Sequence, residues 1–415
     1  MTNAVTRGAY ESIQQEGDKA FQKGDIEAAA SFYKQALEID PSNSWAEYSL
    51  AEAYKCQGDI EGATYHYTNA LKLEPFDNSS FIQLLFMKVE PEQLNPIATF
   101  YQQLSISKPN NPWANVRLGD ILTKQRRVEE AIASYKVASY KLLKNRYPDY
   151  IRNCKVDSNF SEPAYIIIGP MKTATSALYE YINQHPRVLP SIKKEIHFFS
   201  DPHRFAYGKK WYLSHFPSIK PKSGYITGEA SPGYIVNHVH HKVASLFPKV
   251  KIIALIRNPV DRAFSHYTHN CKHGFERRSF LEAVTAELKV LERIEDSVSL
   301  DRLARTWDWN RYPGYVLLGL YAHFLKQWYT AFPSEQILVI SNTILSACPA
   351  QTMQQVFSFL NLTSHNEASY PKHNAGSYVL QDIDAGIKEQ LTEFYEPYER
   401  KLESFLAGRE KLFLS

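Results

Sequence analysis

Small and apolar residues return at helical spacing through the first third of the chain, after which the pattern changes to short, unbroken apolar runs. In GDIEAAASFYKQALEIDP, residues 24–41, apolar side chains fall three and four apart, which predicts an amphipathic helix that stops at Pro41. Gly24, Ala29, Tyr33, Ala36 and Pro41 return 34 residues later as Gly58, Ala63, Tyr67, Ala70 and Pro75. A third unit keeps Tyr101, Leu104 and Pro109 but carries Glu92 and Ile97 where the first two have glycine and alanine. A fourth restores the pattern with Leu118, Gly119, Ala131, Tyr135 and Ala138. A period of this length predicts stacked helix pairs. Alanines at the crossings let two helices approach, tyrosines fill the space between them, and prolines mark where the second helix ends.

Beyond residue 163 the pattern is different. Tyr165–Ile168 and Lys251–Ile256 are apolar, β-branched runs of the kind buried on both faces of a parallel sheet. Gly169 and Pro170 end the first run, and helical spacing resumes with Ala177, Leu178, Tyr181 and Ile182. The pattern divides the chain into a repeat array at 10–147, a polar linker at 148–162 and an α/β domain at 163–415.

Composition changes this picture little. The chain has 415 residues, 44% hydrophobic and 22% charged, as globular proteins do. A net charge of +3, from 47 basic and 44 acidic side chains, gives no reason to expect nucleic acid as a partner. No run reaches the length of a transmembrane segment, and the first residues lack the apolar stretch of a secretory signal. Cys56, Cys154, Cys271 and Cys348 lie far apart and form no zinc or disulfide pattern. The expectation is a cytoplasmic protein without a metal; His238, His240 and His241 lack the spacing of a metal site.

The chemistry gathers at the strand ends. GPMKTATS, residues 169–176, joins a strand to a helix and presents backbone N–H groups, the helix N-terminus, Lys172 and the hydroxyls of Thr173, Thr175 and Ser176. Such a turn suits a phosphate or sulfate. It lacks the second glycine of a Walker A loop, which argues against a kinase or ATPase. After the second strand, RNPVDRAFSHYTHN, residues 257–270, places Arg257 at the strand end and Ser265 on the following helix. Two anion sites at neighbouring strand ends suit one nucleotide with phosphates at both ends.

Residues 10–147 resemble the tetratricopeptide repeat family, most clearly at Gly24–Pro41 and Gly58–Pro75. Residues 163–407 resemble the sulfotransferase family, and within it the glycosaminoglycan-type branch that includes the heparan sulfate N- and O-sulfotransferases. The fold this implies is an all-α repeat solenoid followed by an α/β, P-loop-like domain with a central parallel sheet. The activity it implies is transfer of a sulfuryl group from 3′-phosphoadenosine 5′-phosphosulfate (PAPS) to a hydroxyl or amine of an acceptor, a saccharide or small molecule. By the same resemblance Lys172 touches the transferred group. Thr173, Ala174, Thr175 and Ser176 complete the 5′-phosphosulfate loop, and Arg257 and Ser265 hold the 3′-phosphate. In KKEIHFFSD, residues 193–201, Glu195 stands where the family keeps its catalytic base, with His197 beside it.

WYLSHFP at 211–217, GEASPGYI at 228–235 and GLYAHFLKQW at 319–328 extend the likeness. KHNAGSY at 372–378 resembles the loop that closes over the nucleotide, which implicates Lys372 and Gly376. The repeat family implies a protein partner on the concave face.

Two positions depart from the family. Ala174 replaces a glycine, and is compatible with the loop where its φ is negative. Ala230 stands where 3-O-sulfotransferases carry a second lysine. Trp211, Tyr212 and Phe216 read as core rather than as sugar-stacking faces. The competing readings are a P-loop kinase or NTPase and a catalytically inactive repeat scaffold.

Overall fold

The computed structural model describes residues 2–153, 160–236, 238–294, 296–309, 311–365, 370–371, 383–409 and 411–412. Lys372, Gly376 and Cys154 lie outside the described residues. The chain divides into two compact units, Met1–Asn153 and Cys154–Ser415.

The first unit is all helical: α1 (Thr2–Gln22), α2 (Ile26–Ile39), α3 (Ser44–Gln57), α4 (Ile60–Leu73), α5 (Asn78–Phe86), α6 (Asn95–Ser107), α7 (Pro112–Lys124), α8 (Val128–Arg146) and α9 (Pro148–Asn153). Helices α1 and α2, α3 and α4, and α7 and α8 pack closely as pairs, whereas α5 and α6 each pack against α4 and α7. Ala29, Ala63, Ala131 and Ile97 are all buried at the crossings, and so are Tyr33, Tyr67, Tyr101 and Tyr135. Gly24 and Gly58 take φ of +82° and +81° at the turn within each pair, where glycine carries no Cβ penalty. Asp25 and Asp59 then cap the next helix by accepting from Ala28 and Gly62 N–H.

The expected linker begins with structure. Residues 148–153 form α9, with Pro148 at its start and Tyr150 buried, and they belong to the first unit. A polar sequence had concealed a helix anchored by one tyrosine.

The second unit carries β1 (Tyr165–Ile168), α10 (Thr175–Ile182), α11 (Pro202–Ala206), α12 (Gly208–Leu213), β2 (Gly228–Ala230), α13 (His240–Leu246), β3 (Lys251–Ile256), α14 (Pro259–Lys272), α15 (Phe280–Leu291) and α16 (Ser297–Arg305). It continues with α17 (Tyr321–Ala331), β4 (Ile337–Ser341), α18 (Asn342–Ala347), α19 (Pro349–Phe359), α20 (Ala385–Leu406) and β5 (Lys411–Leu412). The strands form one sheet in the order β2-β1-β3-β4-β5, every described pair parallel. Because β2 and β3 lie on opposite sides of β1, the chain reverses its winding there, and it is outside the carboxyl ends of strands at such a reversal that parallel α/β sheets hold ligands.

Tyr165, Ile167, Ile253, Leu255, Leu338 and Ile340 bury one face of the sheet against Leu178 and Ile182 of α10 and Met353, Val356 and Phe357 of α19. Trp211, Tyr212 and Phe216 are buried and belong to the core.

Candidate active site

The loop after β1 is held by contacts that leave no room for side chains. A Cβ on Gly169 would lie 2.8 Å from both the Leu255 carbonyl oxygen and Thr173 Oγ1, so the backbone passes directly over β3. Thr173 is buried and donates its hydroxyl to the Pro170 carbonyl at 2.8 Å, tying the loop across its own base. Lys172 and Ala174 take φ of +73° and +75°. The positive value at Ala174 corrects the negative φ expected from its side chain. A small Cβ is tolerated because the Thr173 tie and the start of α10 fix the backbone on both sides. Thr175 opens α10 and Ser176 follows it, so both hydroxyls sit at the positive end of the helix.

Arg257, at the end of β3, donates Nη1 to the Lys172 carbonyl at 3.2 Å. That contact joins the two segments singled out as separate anion sites. Ser265 is buried on α14, whose first turn is capped by Asn258. The next residue, His266, is buried with its Nδ1 lacking a partner. Burial, then the charges of Arg262, His269 and Lys172, hold its imidazole well below the usual histidine range. Arg262 is fully buried and donates Nη2 to the Gly314 and Tyr315 carbonyls. The Glu287 carboxylate accepts from the N–H groups of Gly314, Tyr315 and Val316 at 2.6–2.8 Å.

Glu195 and His197 stand on an irregular segment, with φ of +64° and +54°. Glu195 Oε2 lies 3.7 Å from His197 Nε2, and its other oxygen is paired with Lys194 Nζ. Burial raises the Glu195 pKa, but the neighbouring His197 imidazole and the charge of Lys194 outweigh it and bring the group down to about 2. Lys194 Nζ also donates to Ser176 Oγ at 2.5 Å, linking the carboxylate to the head of α10.

Beneath this segment lies a second, fully buried carboxylate. Glu229 accepts from Tyr212 at 2.6 Å, Ser231 at 2.8 Å and Tyr234 at 3.1 Å. Burial pushes its pKa up, and the hydroxyl donors together with the nearby His197 oppose the shift. The surrounding residues receive the backbone above: Glu195 N–H donates to the Ala230 carbonyl at 3.0 Å, and His197 N–H to Ser231 Oγ at 3.3 Å.

Thus Lys172, Thr173, Ala174, Thr175, Ser176 and Arg257 gather around one loop, and Glu195 joins them through Lys194. Lys194, Glu229 and His266 escaped the sequence reading. Lys194 was one of two adjacent lysines with no periodic signal to separate them, and Glu229 and His266 show their burial only in three dimensions.

A family profile described as "Sulfotransferase domain" matches residues 162–375, about half of the chain. The chain belongs to the sulfotransferase family. A "TPR repeat" profile matches residues 17–58, within the helical unit. The sulfotransferase region is similar to bifunctional heparan sulfate N-deacetylase/N-sulfotransferase 2 of Homo sapiens, 32% identical over 207 residues, covering 48% of this chain and 22% of the relative. It is also similar to bifunctional heparan sulfate N-deacetylase/N-sulfotransferase 4 of Mus musculus, 32% identical over 246 residues, covering 56% of this chain and 25% of that protein. The chain therefore spans about a quarter or less of the length of these relatives. A sulfotransferase from Alicyclobacillus acidocaldarius, solved by crystallography, is 27% identical at a TM-score of 0.49, covering 60% of this chain and 96% of that one. Among the described residues no helix of this chain is long and apolar enough to cross a membrane.

Proposed function

We propose that this chain moves a sulfuryl group from PAPS to a hydroxyl or amine of a saccharide-type acceptor. The observation that carries the reading is the Arg257–Lys172 contact at the carboxyl ends of adjacent parallel strands, with the Lys194–Glu195–His197 group at the head of the same loop. The loop amides, Lys172 and the hydroxyls of Thr175 and Ser176 bind the 5′-phosphosulfate, and Arg257 and Ser265 bind the 3′-phosphate. Lys372 and Gly376 are assigned to the nucleotide by the family motif alone.

In the transfer, the acceptor oxygen or nitrogen bonds to sulfur as the bond from sulfur to the bridging oxygen breaks. The electron pair of the broken bond leaves on the 5′-phosphate, where Lys172 and the loop amides stabilise it. Glu195 takes the acceptor proton, and His197, within reach of the carboxylate, orients it. The likeness to the heparan sulfate enzymes supports a saccharide acceptor. The repeat unit supports a protein partner on its concave face, as solenoids commonly bind there.

The test is thermal stability with nucleotides. 3′-Phosphoadenosine 5′-phosphate, the spent donor, is expected to raise Tm, since a ligand bound only by the native state stabilises it. ATP, which lacks the 3′-phosphate, is expected to raise it far less. Equal shifts would remove the case for a 3′-phosphate site at Arg257 and Ser265 and return the kinase reading.

A further inference from the structure

Lys194 has two partners from two parts of the site. Its ammonium donates to Ser176 Oγ at 2.5 Å, on the second residue of α10, and pairs with Glu195 Oε1. Its side chain is 22% exposed, so it is shielded from bulk water yet open to a ligand. The Lys172 charge is felt instead by His266 and His269 of α14. The two lysines thus reach the loop from different elements, one from within the loop and one from the segment that carries Glu195.

Ser176 shows what this arrangement does. Its oxygen accepts from Lys194, which leaves its own O–H to donate elsewhere, and a hydroxyl polarised by an ammonium is a stronger donor. An anion seated at the head of α10 would meet that hydroxyl and the Lys194 ammonium together.

We propose that Lys194 is a second anion-binding cation of the donor site, acting on the 5′-phosphosulfate through Ser176 and shared with Glu195 until the donor arrives. The proposal rests on the donor reading above. Donor and carboxylate compete for one ammonium. As the phosphosulfate draws Lys194 away, Glu195 loses its strongest cationic partner and regains affinity for a proton. The base is thereby held quiet in the empty site and made competent when the donor is seated.

Calorimetry on the full chain with two nucleotides tests this. One is 3′-phosphoadenosine 5′-phosphate; the other is adenosine 3′-monophosphate, which lacks any 5′ group for Lys194 to touch. Lys194→Met is expected to weaken the first about tenfold, as loss of a hydrogen bond to a charged group does, and to leave the second unchanged. Lys194→Arg, which keeps the charge, is expected to hold the first within about threefold of wild type. Equal weakening of both nucleotides would mean that Lys194 only shapes the loop, and no weakening of either would mean that it does not meet the ligand. Both results overturn the proposal. Failure of the wild type to bind 3′-phosphoadenosine 5′-phosphate would overturn the donor reading beneath it.

Discussion

Lys172, Ala174, Glu195 and His197 each hold a left-handed backbone conformation, as do only four other non-glycine residues among those described. Each such residue costs roughly 1–3 kcal/mol, so their gathering in one place marks a site whose surroundings over-determine the backbone. The hydrogen bonds from Glu195 and His197 N–H to the Ala230–Ser231 segment, and the Thr173 tie, are those surroundings. On the proposed reading of Glu195 as the base, Glu195→Gln keeps the shape of this arrangement and removes only the proton acceptor. Turnover is expected to fall by roughly 10²–10⁴, the contribution of a positioned base, while donor affinity changes by no more than about threefold. The acid side of the pH profile follows from the same group. In the empty site a carboxylate held at about 2 is ionised through the range where a free glutamate would titrate, so kcat/KM for the donor should show no break near 4.5. Near-normal turnover in Glu195→Gln would transfer the role to His197. Lys172 and Arg257 could be singled out from the sequence by residue type and position, and the structure brings them into contact. Lys194 could not, because its meaning lies in two partners, one of them eighteen positions away.

Within the helical elements, the repeat is written in backbone geometry as well as in side chains. The turn position held by Gly24 and Gly58 is held in the fourth unit by Arg126, at φ +61°. A Cβ on Gly58 would meet nothing within 4 Å, so Gly58→Ala tests conformation alone. It is expected to cost about 1 kcal/mol in urea denaturation, and Arg126→Gly to shift stability the opposite way by less. A second regularity was not visible as a motif. Tyr33, Tyr67 and Tyr135 donate to Asp18, Glu52 and Asp120, each fifteen residues before its tyrosine. The third unit breaks the rule: Phe86 takes the acid's place, and Tyr101 donates to the Pro75 carbonyl at 2.9 Å instead. Helix α5 ends at that same residue, and Lys124 donates to the Leu85 and Met87 carbonyls at 2.7 and 2.6 Å, closing the shortened end. The departures at Glu92 and Ile97 pointed to this unit, but the lysine that compensates for it comes from the next one.

At the scale of the molecule, the two units contain their own cores: alanine–tyrosine crossings in one, a parallel sheet covered by helices in the other. A chain reduced to residues 160–415 is expected to fold and to bind 3′-phosphoadenosine 5′-phosphate with nearly the affinity of the full chain, measured by circular dichroism and calorimetry. A truncated chain that fails to fold would show that the repeats complete the sulfotransferase core. The parallel sheet was foreseeable because Tyr165–Ile168 and Lys251–Ile256 are apolar on both faces. Its five-strand order was not, because β2 is only three residues long and β5 only two, too short to carry a pattern.

The order β2-β1-β3-β4-β5 also has a consequence for how the chain is made. Every strand pair joins distant parts of the chain: Tyr165 waits for Lys251, and Ile252 in turn for Ile337. At roughly 5–20 residues per second, β1 leaves the ribosome several seconds before β3 exists to cover it. The helical array pairs near neighbours and closes as it emerges, since local contacts form fastest. The nascent chain therefore passes through a stage with a finished helical stack followed by the bare apolar run Tyr165–Ile168. A chaperone that recognises short apolar segments would find its target there, and pulse-labelling of stalled nascent chains would locate it.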